Sequence, residues 1–204
     1  MTIKDFGARV ESVWQGLRPV TKKMIVGALQ SGSAAIPTTP TQKFSYDTQS
    51  DWELSRLLTA LDEQTREAQK NNDQEKLTEL RKMTDTVIRV LQAQTESAEV
   101  FIQLGERLLK ENDYAKFDLL SDALSERFSA AEIAEIIRQT DKPQIRAVAY
   151  ETLSMLPTTA LIPVLDDPLY ADIALAALEQ QAFEYESEDA RNVLEQLEAE
   201  ADER

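Results

Sequence analysis

Apolar residues recur at steps of three and four along most of this chain, the spacing that gathers them on one face of a helix. Near the start, Ile3, Phe6, Val10, Val13, Trp14 and Leu17 form one stripe; after Pro19 a shorter one runs through Val20, Met24, Ile25, Ala28 and Leu29. Residues 31–41 read SGSAAIPTTPT, whose prolines, glycine and small polar residues predict a linker, with Phe44 and Tyr46 pinning its end. Ser50-Asp51-Trp52-Glu53 then fits a capping box, with Trp52 as a core anchor and Leu54, Leu57, Leu58 and Leu61 lining one side of the helix it opens. A polar turn at Lys70-Asn71-Asn72-Asp73 follows. Leu77, Leu80, Thr84, Val87, Leu91, Ala98, Phe101, Gly105 and Leu108 continue as one long helix, or as two broken near Thr95–Ser97. Paired with residues 53–70 they predict an antiparallel hairpin with a coiled-coil-like seam. Residues 112–128 predict a helix with Tyr114, Phe117, Leu120, Leu124 and Phe128 inward. Ser129 to Glu132 repeat the capping-box pattern before Ile133, Ile136 and Ile137.

One internal repeat stands out. The segment from Asp141 to Leu153 aligns, 25 residues later, with that from Asp166 to Leu178; the matched pairs are Asp141/Asp166, Pro143/Pro168, Val148/Ile173, Ala149/Ala174 and Leu153/Leu178. Aspartate suits a helix cap and proline the first turn, where the backbone donor it lacks is unpaired anyway. Alanine lets a neighbouring helix approach closely. Ser129–Thr140 and Ser154–Leu165 supply the first helix of each pair, Pro157 and Pro163 keeping the second of these short. The pattern resembles HEAT-like repeats over about residues 129–183. Leu104-Gly105, Leu108 and Asn112-Asp113-Tyr114 also look like part of a tetratricopeptide repeat. Both resemblances imply stacked helix pairs that present a surface to a protein partner, and neither brings catalytic residues with it.

Composition narrows the chemistry. The chain contains neither cysteine nor histidine, which excludes disulfides, thiolate nucleophiles, Cys- or His-ligated metals and the Ser-His-Asp triad. Its five glycines form no phosphate-binding frame. A net charge of −15 argues against nucleic-acid binding over the whole surface. No uncharged apolar run is long enough to span a membrane and no secretory leader is evident, so the expected location is the cytoplasm. Charge is unevenly spread: residues 1–43 carry a net +4 and the remainder −19. That inversion marks an N-terminal arm with a role of its own.

The arm's apolar stripe has three possible covers: the chain's own acidic body, a groove on another protein, or an anionic membrane met through Arg18, Lys22 and Lys23. For a partner, the contact residues would be Phe6, Arg9, Val10, Trp14, Leu17, Arg18, Lys22 and Lys23. The aromatic anchors would carry the affinity and the cations would steer. The acidic stretch 184–204 reads as a solvated end cap, with Val193, Leu194 and Leu197 adding a helix to the stack, or as a surface for a basic partner. Glu63, Glu67, Glu75 and Glu79 are candidates for a buried carboxylate cluster in a bundle, but the chain lacks the histidines of di-metal bundles.

The sequence thus predicts an all-α fold: a helical hairpin followed by a short HEAT-like α-solenoid, with an N-terminal amphipathic arm. The expected divisions are the arm (1–30), a Pro/Ser/Thr linker (31–49) and an all-helical domain. That domain comprises a hairpin (50–128) and a stack with an acidic cap (129–204). The expected function is a non-catalytic protein–protein interaction module, an adaptor, assembly or regulatory subunit in a larger complex. The alternative is a peripheral membrane protein held by the arm. No catalytic residue, metal, cofactor, nucleic acid or small-molecule substrate is predicted.

Overall fold

The computed structural model describes residues 3–30 and 46–202, the side chains only as far as residue 199. Of the expected linker at 31–49, residues 31–45, with Phe44, lie outside the described residues. Those residues form eleven α-helices and one short 3-10 turn, with no strand. All-α is therefore the architecture. Contacts divide the chain after Thr95, into units of residues 1–95 and 96–204. The division also separates charge: the first unit has thirteen bases and twelve acids, the second nine bases and twenty-five acids.

In the N-terminal unit a turn at Ile3–Phe6 leads into α1 (Ala8–Gly16) and α2 (Pro19–Gln30). These pack on the long pair α3 (Thr48–Lys70) and α4 (Gln74–Gln94), α1 against α3 and α2 against both. The arm is thus part of the unit: Phe6, Val10, Leu17 and Ile25 are buried together with Leu54, Leu58, Leu61, Leu80, Val87 and Leu91. Burying such side chains is worth about 1.5–3 kcal/mol each, so the chain's own hairpin is an ample cover for the stripe. Gly7 turns the chain from the 3-10 turn into α1 at φ 115°, and a Cβ there would run into the Gln64 side chain. The α3–α4 turn is the predicted one, with Asn72 left-handed (φ 54°) and Asp73 capping α4 by accepting from the Lys76 N–H.

Two local expectations for α3 are corrected. Asp47, not Ser50, is its N-cap and accepts from the Ser50 N–H at 2.9 Å. Trp52 is not a core anchor: it is 51% exposed, with the Arg56 guanidinium 4.5 Å from its ring centre.

Of the two alternatives for residues 77–108, the structure has two helices, broken at Thr95–Ser97. In the C-terminal unit α5 (Ala98–Glu111) and α6 (Tyr114–Arg127) are followed by α7 (Ala130–Gln139) and α8 (Pro143–Met155). Next come α9 (Thr158–Leu165), α10 (Ala171–Phe183) and α11 (Glu188–Asp202). Each helix of α5/α6, α7/α8 and α9/α10 packs on its pair-mate. Between pairs, α5 meets α7 and α7 meets α9, while α6 meets α8 and α8 meets α10; α11 packs on α10. At Gly105 α5 comes so close to its neighbours that an added Cβ would sit 3.0 Å from Ile145 Cδ1 and 3.3 Å from Phe117 Cε2. Phe101 meets Phe128 edge-on, with ring centres 5.7 Å apart. Ser129 caps α7 as predicted, but Glu132 does not close the box. Its carboxylate instead accepts from the Ala98 N–H at 2.7 Å, capping α5 across the unit.

The 25-residue match holds in burial and fails at the helix starts. Ala149 and Ala174 are both fully buried, as are Leu153 and Leu178. Pro143 opens α8, whereas Pro168 lies in the turn before α10, which starts only at Ala171. Nor does Asp141 cap α8: its carboxylate pairs with Lys142 Nζ at 3.0 Å. Tyr114, expected inward, is exposed, while Phe117, Leu120, Leu124 and Phe128 are buried.

A surface network on α7 gives this unit an acid-sensitive element. Arg138 grips Glu135 through Nε and Nη2 at 2.6 Å each, and Gln139 and Tyr170 also hydrogen-bond its carboxylate. The Arg138 pairing foremost holds Glu135 down at about 2, below the usual 4.5. A carboxyl depressed on folding contributes stability above its unfolded pKa and loses it as pH falls through the folded one. The stability gap between the wild type and Glu135→Gln should be fully open at pH 6 and close between pH 4.5 and 2 in acid denaturation series. A constant gap would refute the assignment.

Candidate docking groove

The arm residues expected to meet a partner divide into buried and cationic sets. Phe6, Val10 and Leu17 are buried and Trp14 is half-buried. Arg9 pairs with Glu63 at 2.6 Å, Lys22 Nζ donates to the Gln15 carbonyl at 3.0 Å, and Lys23 is exposed. Arg18 is the most heavily engaged. Its guanidinium grips Asp47 at 2.6 and 2.9 Å, donates to Ser50 Oγ at 3.0 Å and brings Nε within 3.3 Å of Glu53 Oε1.

The Arg18 backbone N–H also donates to Glu53, and the Thr21 hydroxyl donates to the other carboxylate oxygen. Glu53 is 3% exposed and Thr21 fully buried. Of the cations read as steering a partner, Arg9 and Arg18 therefore have acidic counterparts within the same unit. Hydrogen bonding by Arg18 and Ser50 holds Asp47 well below the usual carboxylate range, and Asp47 in turn raises Arg18. The carboxylates Glu63, Glu67, Glu75 and Glu79 form no buried cluster. Glu63 holds Arg9, Glu67 accepts from Gln64 at 2.7 Å, and Glu75 is exposed.

A surface not foreseen in the sequence lies in the C-terminal unit. A groove of about 440 Å³ opens between the α8–α9 turn and the α10–α11 turn. Met155, Leu156, Pro157 and Thr158 form one wall, Tyr185 and Asp189 the other. Its floor is organised by Gln181, which is 4% exposed. The Gln181 side-chain amide donates to the carbonyls of Ser154 (3.1 Å) and Leu156 (2.6 Å), and its oxygen accepts from the Thr158 hydroxyl at 2.8 Å. The Gln181 main-chain carbonyl accepts from the Ser187 N–H at 2.9 Å, closing the opposite turn. One residue thus ties both walls. Ser154 Oγ adds a bond to Gln180 at 2.7 Å.

Both walls present apolar surface to solvent. Met155 is 64% exposed and Tyr185 47%, with Phe183 at 76% just before it. Glu186 is held left-handed at φ 56°, a conformation costing a side chain of this kind about 1–2 kcal/mol relative to glycine. Exposed apolar side chains grouped at a concavity are what a docking site requires, and strained backbone concentrates at such places.

No family model, curated protein or solved structure matches the chain. The functional reading therefore rests on the geometry of the chain itself. Among the described residues no group of histidine, cysteine or acidic side chains is arranged to hold a metal ion. Among them, too, no single helix is long and apolar enough to cross a membrane.

Proposed function

We propose that the chain is a non-catalytic protein–protein interaction module, an adaptor, assembly or regulatory subunit of a larger cytoplasmic complex. Its docking surface is the helical stack of the C-terminal unit. The observation that carries this is the groove, where Met155 and Tyr185 stand exposed on opposing walls over a floor fixed by Gln181. Apolar side chains held open in this way gain most when another surface covers them.

A HEAT-like stack over residues 129–183 is part of the proposal. Its support is the pairing order of the helices and the shared burial of Ala149 with Ala174 and Leu153 with Leu178. That span holds two pairs, α7/α8 and α9/α10; with α5/α6, which packs on them from before it, the pairs number three, about the minimum for a self-standing array. In this reading the N-terminal arm contributes through exposed Lys23 and the outer face of Arg9. Phe6, Val10 and Leu17 hold its unit together.

The test uses the intact chain immobilised beside a double variant, Met155→Ser with Tyr185→Ser. Both positions are exposed, so the variant should keep the wild-type circular dichroism and melting temperature. Quantitative mass spectrometry of what each retains from a lysate of the native source should show a defined set of polypeptides lost by the variant. Identical sets, or turnover of a metabolite by the purified chain, would overturn the proposal.

A further inference from the structure

We infer that the groove receives a short basic segment of a protein partner, with one apolar side chain seated between Met155 and Tyr185 and Lys or Arg flanking it. This rests on the interaction reading above and adds the chemistry of the occupant.

The apolar seat follows from the walls: Met155, Leu156 and Pro157 face Tyr185 across a space that one or two large side chains would fill. Methionine is a fitting wall residue, because its unbranched, polarizable side chain adapts to differently shaped anchors.

The flanking charge follows from what surrounds the seat. Asp189 carries the one formal charge of the lining, and the segment that supplies it also carries exposed Glu184, Glu186 and Glu188. From residue 147 to 203 the sequence holds fourteen acids and a single base, Arg191. The Nε of that arginine donates to the Ala182 carbonyl at 3.2 Å. The wall from Ser154 to Thr159 has no charged side chain of either sign.

An acidic or phosphorylated segment would thus bring like charge to a unit that already stands at a net −16. A basic one is drawn in over distances comparable with the Debye length and neutralises the rim as it seats. The walls supply the anchor pocket and the rim supplies selectivity. Charge alone would not define a site, and the walls alone would not choose a partner.

The experiment is selection of a random twelve-residue peptide library on the intact chain, with counter-selection on the Met155→Ser/Tyr185→Ser variant. Peptides that depend on the groove should carry Lys or Arg on both sides of one Leu, Met, Phe or Trp. Fluorescence polarisation of such a peptide should weaken about five- to tenfold with Glu184→Gln/Glu186→Gln/Asp189→Asn. A rise in salt from about 50 to about 500 mM should weaken it similarly.

Groove-dependent peptides with neutral or acidic flanks, or binding indifferent to salt and to the amide variants, would overturn the basic occupant while leaving groove docking intact. A concentration-dependent dimer that the serine variant abolishes would overturn it equally, because the occupant is then a second copy. Failure to recover any groove-dependent peptide would remove both readings together.

Discussion

Glu53→Ala is expected to destabilise the N-terminal unit by about 2–4 kcal/mol, because it strips partners from groups that cannot reach water. Glu53 is buried on α3, and its carboxylate accepts from the Arg18 N–H at the start of α2 and from the Thr21 hydroxyl one turn later. Truncation leaves Thr21, fully buried, with an unsatisfied hydroxyl, and leaves the Arg18 Nε without its nearest anion. Glu53→Gln should cost less, since an amide oxygen still accepts one of the two bonds.

The readout is specific to this unit, because both tryptophans of the chain, Trp14 and Trp52, belong to it. Denaturant unfolding followed by tryptophan fluorescence therefore reports its stability directly. A double-mutant cycle with Thr21→Val should show coupling, the pair losing less than the sum of the single changes. A loss below about 0.5 kcal/mol, or strict additivity, would mean that the carboxylate is not what fastens the arm.

The same residue shows where sequence reasoning stops. Serine followed three positions later by glutamate is the pattern of a capping box, and Ser50 with Glu53 obeys it. Yet the cap is Asp47, and the glutamate reaches Arg18, 35 residues away. Local pattern cannot separate a glutamate that turns back on its own helix from one that crosses to another. Glu132 repeats the lesson by capping α5 instead of completing the box with Ser129.

What depends on local pattern alone was legible: the leucines of α3, the turn at Asn71-Asn72 and the buried face of α6 from Phe117 onward, whereas the break before α5 was left as one of two alternatives. The arm illustrates the boundary between the two. Its amphipathic stripe was evident, but which surface covers a stripe is decided by partners far along the chain.

The groove was missed for a related reason, although one signal was present. On α10 the residues Ala174, Ala177, Leu178, Gln181 and Ala182 share the buried face, and glutamine is the one polar member. A glutamine on an apolar face marks either a defect or a side chain with interior partners.

Replacing Gln181 with Met is accordingly expected to lower the stability of the C-terminal unit by about 1–3 kcal/mol, with most of the damage local to the groove. Methionine preserves the volume and removes the donors, so the carbonyls of Ser154 and Leu156 and the Thr158 hydroxyl lose their partner. Ser154 is 1% exposed, which leaves its carbonyl little access to compensating water. Gln181→Glu should be worse at neutral pH, because a carboxylate is acceptor-only and would face two carbonyl oxygens.

Hydrogen exchange on peptides covering residues 154–159 and 184–190 is the decisive measurement, since the amide ties the first segment and the Gln181 backbone closes the second. Both variants should speed exchange in the first segment more than in the second. The second turn keeps its main-chain bond from Ser187 whatever the side chain. Uniform acceleration across the unit would instead mean ordinary core damage. Unchanged exchange in residues 154–159 would show that the α8–α9 turn holds its shape without the amide, and the account of how the groove is built would fail.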